Sequence, residues 1–575
     1  MTAYEQTGTA RPVRRLRYRA ANLLDWVMLG LLLAGIALFI LYPIVSVVST
    51  SFFVKGQFTL QYYLDLFTKS NLKLIGNSLW VATLSSSFTT FFAFCIALYA
   101  FCSKEKTRRL LQNGLLLTMI SPPFVSALAF ILLFGRRGII TYGLLGLSVN
   151  PYGWHGIVIL QTIGNISFAT LLLLASFDTV DLKQVLASRD LGANPWQTLW
   201  HVVIPLVRPG LLSVIFTLFT MNLADFGTPI VIGGRYKVLA TEAYLQVIST
   251  ANLGKASAIS VLMVPTAVVA FYFYRKTLSQ SGSLAEGSKS FSGSGYEFEL
   301  PRSIRCLLLS VVGLFFTVMA LKYGNILLST VSNIATGHIQ FTTKYFHDLP
   351  RSQMSSYWRS IRYAVLSGVA ASFLGILLSY YTHRRRLLGM KGVEFIASLP
   401  YIIPGTFFGL GYVAAFSHEP FLLRGTGLII ICNYTFRQIS VANKSANAAF
   451  SAIDEKLEAA AQDLGASRME VFFGVILPLL KSTFLTCFIT VFTSSMTSVG
   501  AIAFLISPGK NVASMELFQS IENGRYGVAA VQAVMIIAVT LGINLFSMYL
   551  LNRGRKNQKG GNGRVPEAGS SQEAV

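Results

Sequence analysis

Apolar and polar positions alternate on a long scale in this chain: apolar runs of about twenty residues or more recur about twelve times, separated by shorter polar connections. A helix needs roughly 20 residues to cross a hydrocarbon core of about 30 Å. The runs lie near 27–50, 77–102, 111–134, 157–177, 210–232, 257–274, 304–331, 360–382, 393–416, 427–448, 483–506 and 527–551, and each predicts a spanning helix. The expected fold is therefore an all-α polytopic membrane protein. The first run is too long for a cleaved leader and lacks a small-residue cleavage site before the next, so it is expected to be retained.

Composition agrees: of 575 residues, 53% are hydrophobic and only 12% charged, with mean hydropathy +0.57. The net charge of +23 raises the question of a nucleic-acid partner. Its placement answers it. Lys and Arg cluster at 11–19, 104–109, 275–276, 383–391 and 552–564, each beside a predicted span. Twelve crossings starting inside place every cluster on the cytoplasmic side, as the positive-inside bias requires, with both termini cytoplasmic and no nucleic acid needed. Anionic lipid of the bilayer is the expected partner of these groups. Cys95, Cys102, Cys306, Cys432 and Cys487 sit in or beside apolar runs without paired spacing and read as small core hydrophobes. The six histidines are scattered and no metal-binding pattern occurs, so no metal is expected on this chain.

The runs fall into two sets of six, giving two six-helix repeats. A basic N-terminus (1–26) precedes the first half (27–276), a Ser/Gly-rich linker (277–302) separates it from the second half (303–552), and a basic tail (553–575) follows. The segment DLGANPWQTLWHVVIP, Asp190 to Pro205, returns as DLGASRMEVFFGVILP, Asp463 to Pro478, at an offset of 273 residues. Phe219, Thr220 and Gly227 meet Phe492, Thr493 and Gly500 at the same offset, and NSLWVATLSSSF resembles RSIRYAVLSGVA. This is an internal duplication. Each repeated segment lies in a loop of about thirty residues, 181–209 and 454–482, between the fourth and fifth spans of its half. Ser188–Gly192 and Ala459–Gly465 read as a helix ending in glycine, and a second amphipathic stretch runs to a proline at the foot of the next span. Small residues at the turn would let another protein approach the backbone closely.

These segments resemble the EAA loop, EAA-x3-G-x9-I-x-L-P, of binding-protein-dependent ABC importer permeases. Counting back from the glycines, the triplets are Leu186-Ala187-Ser188 and Ala459-Ala460-Ala461; the segments close on Val202-Val203-Ile204-Pro205 and Val475-Ile476-Leu477-Pro478. Neither triplet begins with Glu, although Glu458 lies one place early in the second. The resemblance spans nearly the whole chain and is to the fused two-half ferric-iron type, supported by stretches 224–247 and 504–531. It implies that Ala187, Asp190, Gly192, Ala193 and Pro205 in one loop, and Glu458, Ala460, Asp463, Gly465, Ala466 and Pro478 in the other, contact two ATP-binding subunits. It also implies an inner (cell) membrane importer, with substrate delivered by an extracytoplasmic binding protein. ATP would sit on the partners: the chain has no G-x4-G-K-[ST] phosphate loop and is expected to be no enzyme and to bind no cofactor. Ferric iron is the expected substrate, with 2-aminoethylphosphonate, thiamine, polyamine or another small solute as alternatives.

Polar residues inside spans mark the candidate path. Asp225 is a carboxylate in the fifth run with Asn222 one turn earlier, and Ser498 is its equivalent in the other half. Asp225 would either line the path or cap a chain reversal near Gly227 and Pro229. Asn433 and Arg437 in the tenth run are further candidates, Arg437 also being able to snorkel to the interface. A secondary transporter of six plus six spans shares the span count but has no use for paired long loops. A membrane enzyme would need a titratable or metal-binding cluster, which is not seen.

Overall fold

The computed structural model describes residues 10–54, 56–119, 121–147, 150–285, 298, 300–333 and 340–561. Half of the linker 277–302 and the end of the tail 553–575 lie outside them, as does the start of the N-terminal segment 1–26. Among the described residues the structure is helical apart from two short antiparallel pairs, Phe53–Val54 with Gln57–Phe58 and Ser332–Asn333 with Gln340–Phe341. Each pair follows the first helix of a half, a repetition the sequence does not advertise.

Among the described residues nine helices are long and apolar enough to cross a membrane, and two further pairs qualify together but are bent, by 111° between Met390–Ile402 and Gly405–Ala415 and by 72° between Arg468–Leu479 and Lys481–Thr497. With Gly427–Phe450 these account for the twelve apolar runs. That last helix is less apolar than the others, carrying Arg437, Gln438 and Lys444 and burying Asn433, Thr435, Ser440 and Asn443.

Several expected spans are broken. The third is two helices, Glu105–Thr118 and Pro123–Phe134, parted at Ser121-Pro122, because Pro disfavours helical geometry in the preceding residue. The fifth ends at Ala224, where Asp225 is extended, and a short helix Gly227–Ile232 follows. The eleventh ends the same way at Thr497, with Ser498 extended. The halves thus break at matching positions, the first at the chain reversal that Gly227 and Pro229 allow.

The opening helix of each half packs against the other half. In the first span, Phe39 stacks on Phe436 at 4.9 Å and its carbonyl accepts from Tyr412 Oη at 2.8 Å. Lower on that span, buried Asp25 pairs with Arg385 and accepts from Tyr381 Oη at 2.9 Å. In the seventh span, Tyr323 Oη donates to Thr118 O at 2.9 Å and Lys322 Nζ to Ser121 Oγ at 2.9 Å. The exchange ties the halves together and places the seventh span beside the central cavity. Within a half, small residues allow close contact: at Gly375 an added Cβ would fall 2.4 Å from Ala442 Cβ. The five cysteines are unpaired.

Candidate coupling loops and central cavity

Both repeated segments fold alike. Leu182–Asp190 and Lys456–Asp463 are helices that end on Gly192 and Gly465, with φ of +86° and +88°. In the first, Ala193 N donates to Ser188 O and Gly192 N to Arg189 O; in the second, Ala466 N donates to Ala461 O and Gly465 N to Gln462 O. That is the paired six-to-one and five-to-two closure of a Schellman turn. The next residue starts a new helix through a capping box, Asn194 with Gln197 and Ser467 with Glu470. A π-turn follows in each, Leu199–Val203 and Phe472–Ile476.

The second arm is not a separate interfacial helix ending at a proline. In the first loop it runs unbroken into the fifth span, Pro195–Ala224, and in the second it joins the eleventh at a bend. The π-turn immediately upstream accounts for this, since its wider winding relaxes the ladder where Pro205 and Pro478 withhold an N–H. Within the chain nothing crowds the turn glycine: a Cβ at Gly192 or Gly465 would meet nothing within 4 Å. Glycine is needed there for its left-handed backbone.

Ala187, Asp190, Ala460 and Asp463 are exposed on this loop face, as are Pro205 and Pro478; Ala193 and Ala466 are half-buried. Glu458 points inward. Its carboxylate lies 3.0 Å from Arg384 Nε at the end of the eighth span, and its counterpart at the 273-residue offset is the fully buried Val185. Both side chains face the protein, Glu458 against Arg384 and Val185 in apolar burial. Burial holds the Glu458 carboxyl above its ordinary range, with Arg384 opposing and Glu455 adding to the rise. Arg108 makes a comparable tie to Asp178 in the first half. Sequence reasoning overlooked Leu191 and Leu464, the leucines of the two DLGA motifs, which are 89% and 85% exposed at the tip of each turn. Their repetition at the same offset was the available signal.

Between the halves lies a cavity of about 770 Å³. Asp225, Asn222 and Ser498 line it; Asn433 does not, and is buried with both amide atoms unpartnered. Asp225 also holds the helix break: its Oδ1 accepts from Thr228 N at 3.2 Å and its Oδ2 from Gln161 Nε2 at 3.0 Å. Asn222 joins the same network, accepting from Asn165 at 2.9 Å and donating to Ser86 at 3.2 Å. Arg437 does not snorkel to an interface but faces the cavity and donates to Ser498 Oγ at 3.2 Å. Lys322 and Gln438 also line it and were not anticipated. The offset gave a clue, since Asn165 and Gln438 are equivalent amides.

The cavity extends toward the loop face past Phe168, Phe216, Val441 and Thr490. On the opposite side it is closed by aromatic rings from both halves. Phe124 stacks on Phe518 at 4.8 Å, Phe226 meets Phe518 edge-on at 6.0 Å, and Tyr244 touches Phe226 at 4.8 Å and Phe504 at 5.6 Å.

Two similar half-chains around a polar cavity, each with a protruding loop on one face, define a membrane transport subunit. The chain belongs to the family of binding-protein-dependent transport system inner membrane components, whose family model matches residues 90–277 and again 369–554. It is a multi-pass inner-membrane permease of the ABC importer class. It is 27% identical to a ferric transport system permease protein of Actinobacillus pleuropneumoniae, over 91% of this chain and 78% of that one. A putative ferric transport system permease protein of Haemophilus influenzae is 28% identical over 82% and 77%. A molybdate/tungstate transport system permease protein of Pyrococcus furiosus matches 34% of this chain at 29% identity.

Proposed function

We propose that the chain is the fused transmembrane component of an ATP-driven ferric iron importer, with both termini and both repeated loops in the cytoplasm. The observation that carries the substrate is the similarity to ferric transport permeases through both halves, where the molybdate/tungstate relative covers only about one. The basic clusters beside the spans support the orientation. Two ATP-binding subunits dock on the loop face, each receiving one turn, with Leu191 or Leu464 entering an apolar groove. The chain itself binds no ATP and no other cofactor. An extracytoplasmic binding protein delivers substrate to the aromatic side.

In this orientation the described conformation faces inward: the cavity is open toward the ATPase side and sealed by Phe124, Phe226 and Phe518 on the other. ATP-driven closure of the two ATPase subunits moves the capped helices as rigid levers, parting the aromatic seal and narrowing the loop side. Uptake of radiolabelled ferric iron by cells deleted for this chain and complemented with it tests the substrate. Restoration by the chain is expected. Unchanged iron uptake in the deletion, with loss of molybdate or polyamine uptake instead, would redirect the assignment within the importer class.

A further inference from the structure

We infer that the central cavity is an oxyanion site: it takes a multivalent oxyanion, either free or as the outer oxygens of a coordinated ferric ion, and not a bare cation. The inference rests on the importer reading above for the cavity's place on a transport route.

Three charged side chains line the cavity: Asp225 from the fifth-span break, Lys322 from the seventh span and Arg437 from the tenth. The acid is committed to the fold, because both its oxygens accept hydrogen bonds that hold the break. The two cations are not neutralised. Among the described residues, no carboxylate lies within ion-pairing distance of either. Among the described residues the hydrogen-bond partner of Arg437 is the Ser498 hydroxyl, and its guanidinium sits where Gly405 leaves room, since a Cβ there would fall 2.5 Å from Nη2. Lys322 is 6% exposed, with the Ser121 hydroxyl and the face of Tyr323 as its neighbours.

Cations at membrane depth without a counter-charge are costly and are kept where they act on an ion or substrate. A guanidinium fork and an ammonium supply the directed donors that carboxylate and phosphate oxygens accept, whereas the Gln438 and Asn165 amides that also line the cavity each already donate one hydrogen bond, to Ser494 and Asn222. A hard cation needs several anionic oxygens around it. The cavity has one carboxylate, already occupied, and among the described residues no three His, Cys, Asp or Glu come together to hold a metal. Iron crossing here would therefore be wrapped in oxygen-donor anions, which meet Arg437 and Lys322 on their outer surface.

The test uses the complete importer, permease with its ATPase subunits, in lipid nanodiscs without nucleotide, so that the cavity is reachable from the loop face. Equilibrium binding is measured for inorganic phosphate, citrate, ferric citrate and putrescine. Saturable binding of at least one of the three anionic probes and none of putrescine is expected. Arg437→Met and Lys322→Met should each weaken it about tenfold, the effect of losing one charged donor, and Arg437→Lys, which keeps the charge but not the fork, should weaken it less. Ferric citrate binding that excess citrate fails to displace identifies the coordinated ion; full displacement identifies the free oxyanion. Putrescine binding, no anion binding, or anion binding indifferent to all three substitutions would overturn the inference. Co-purification of ATPase subunits with the unmodified chain checks the importer reading separately.

Discussion

At Gly192 and Gly465 the positive φ closes a helix on matching hydrogen bonds, and a β-branched residue in that region costs about 1–2 kcal/mol. Gly192→Val or Gly465→Val should therefore distort the turn, leave membrane insertion intact and reduce recovery of ATPase subunits on affinity purification; undiminished recovery from both variants would count against the turns as docking elements. Glu458 illustrates what spacing alone conceals. The EAA pattern suggests a contact with the partner, yet the side chain is paired inward with Arg384. Because its folded-state pKa is raised, the fold binds that proton more tightly than the unfolded chain does. Its stabilisation is fully present below the ordinary carboxylate range and is lost as pH rises through the raised value. Glu458→Gln should flatten this component of thermal stability as pH rises from the ordinary carboxylate range, whereas an unaltered pH profile would contradict the assignment. Leu191 and Leu464 were hidden for the opposite reason: in a chain this apolar a leucine draws no notice until its exposure is known.

The helices themselves were largely legible, because apolar runs of spanning length are a robust signal, and so was the duplication, because its 273-residue offset repeats through several motifs. The breaks were legible only in part. Asp225, Gly227 and Pro229 offered a chain reversal as one reading of the fifth run, but the uncharged stretch 497–506 gives Ser498 no comparable mark. Asp225 lines the cavity and also holds this break. Asp225→Asn keeps one acceptor for Thr228 N but turns an amide toward Gln161 Nε2, losing about one hydrogen bond, or about 1 kcal/mol. Asp225→Leu loses both, and should lower the amount of folded protein. Substrate uptake normalised to permease in the membrane should remain close to wild type for Asp225→Asn; a severe loss at normal abundance would give the charge itself a transport role.

Across the whole molecule, fusing the halves permits asymmetry that two identical chains could not have. At the 273-residue offset, Arg437 corresponds to Gly164 and Asp225 to Ser498, and all four line the cavity. A symmetric pair carrying Arg at that position would bring two guanidinium groups to one space. The exchanged first and seventh spans were also beyond the sequence, since helix order along the chain does not reveal which half a helix packs against. What the two halves retain in common is the loop architecture, turn for turn, and this carries the central claim that each half engages one ATPase subunit. The direct measurement is the number of ATPase subunits recovered per permease, from solubilised membranes, for wild type, Leu191→Asp, Leu464→Asp and the double variant. The account predicts two for wild type, a reduced number for each single variant and almost none for the double, with permease abundance in the membrane unchanged. Full recovery with the double variant would contradict it.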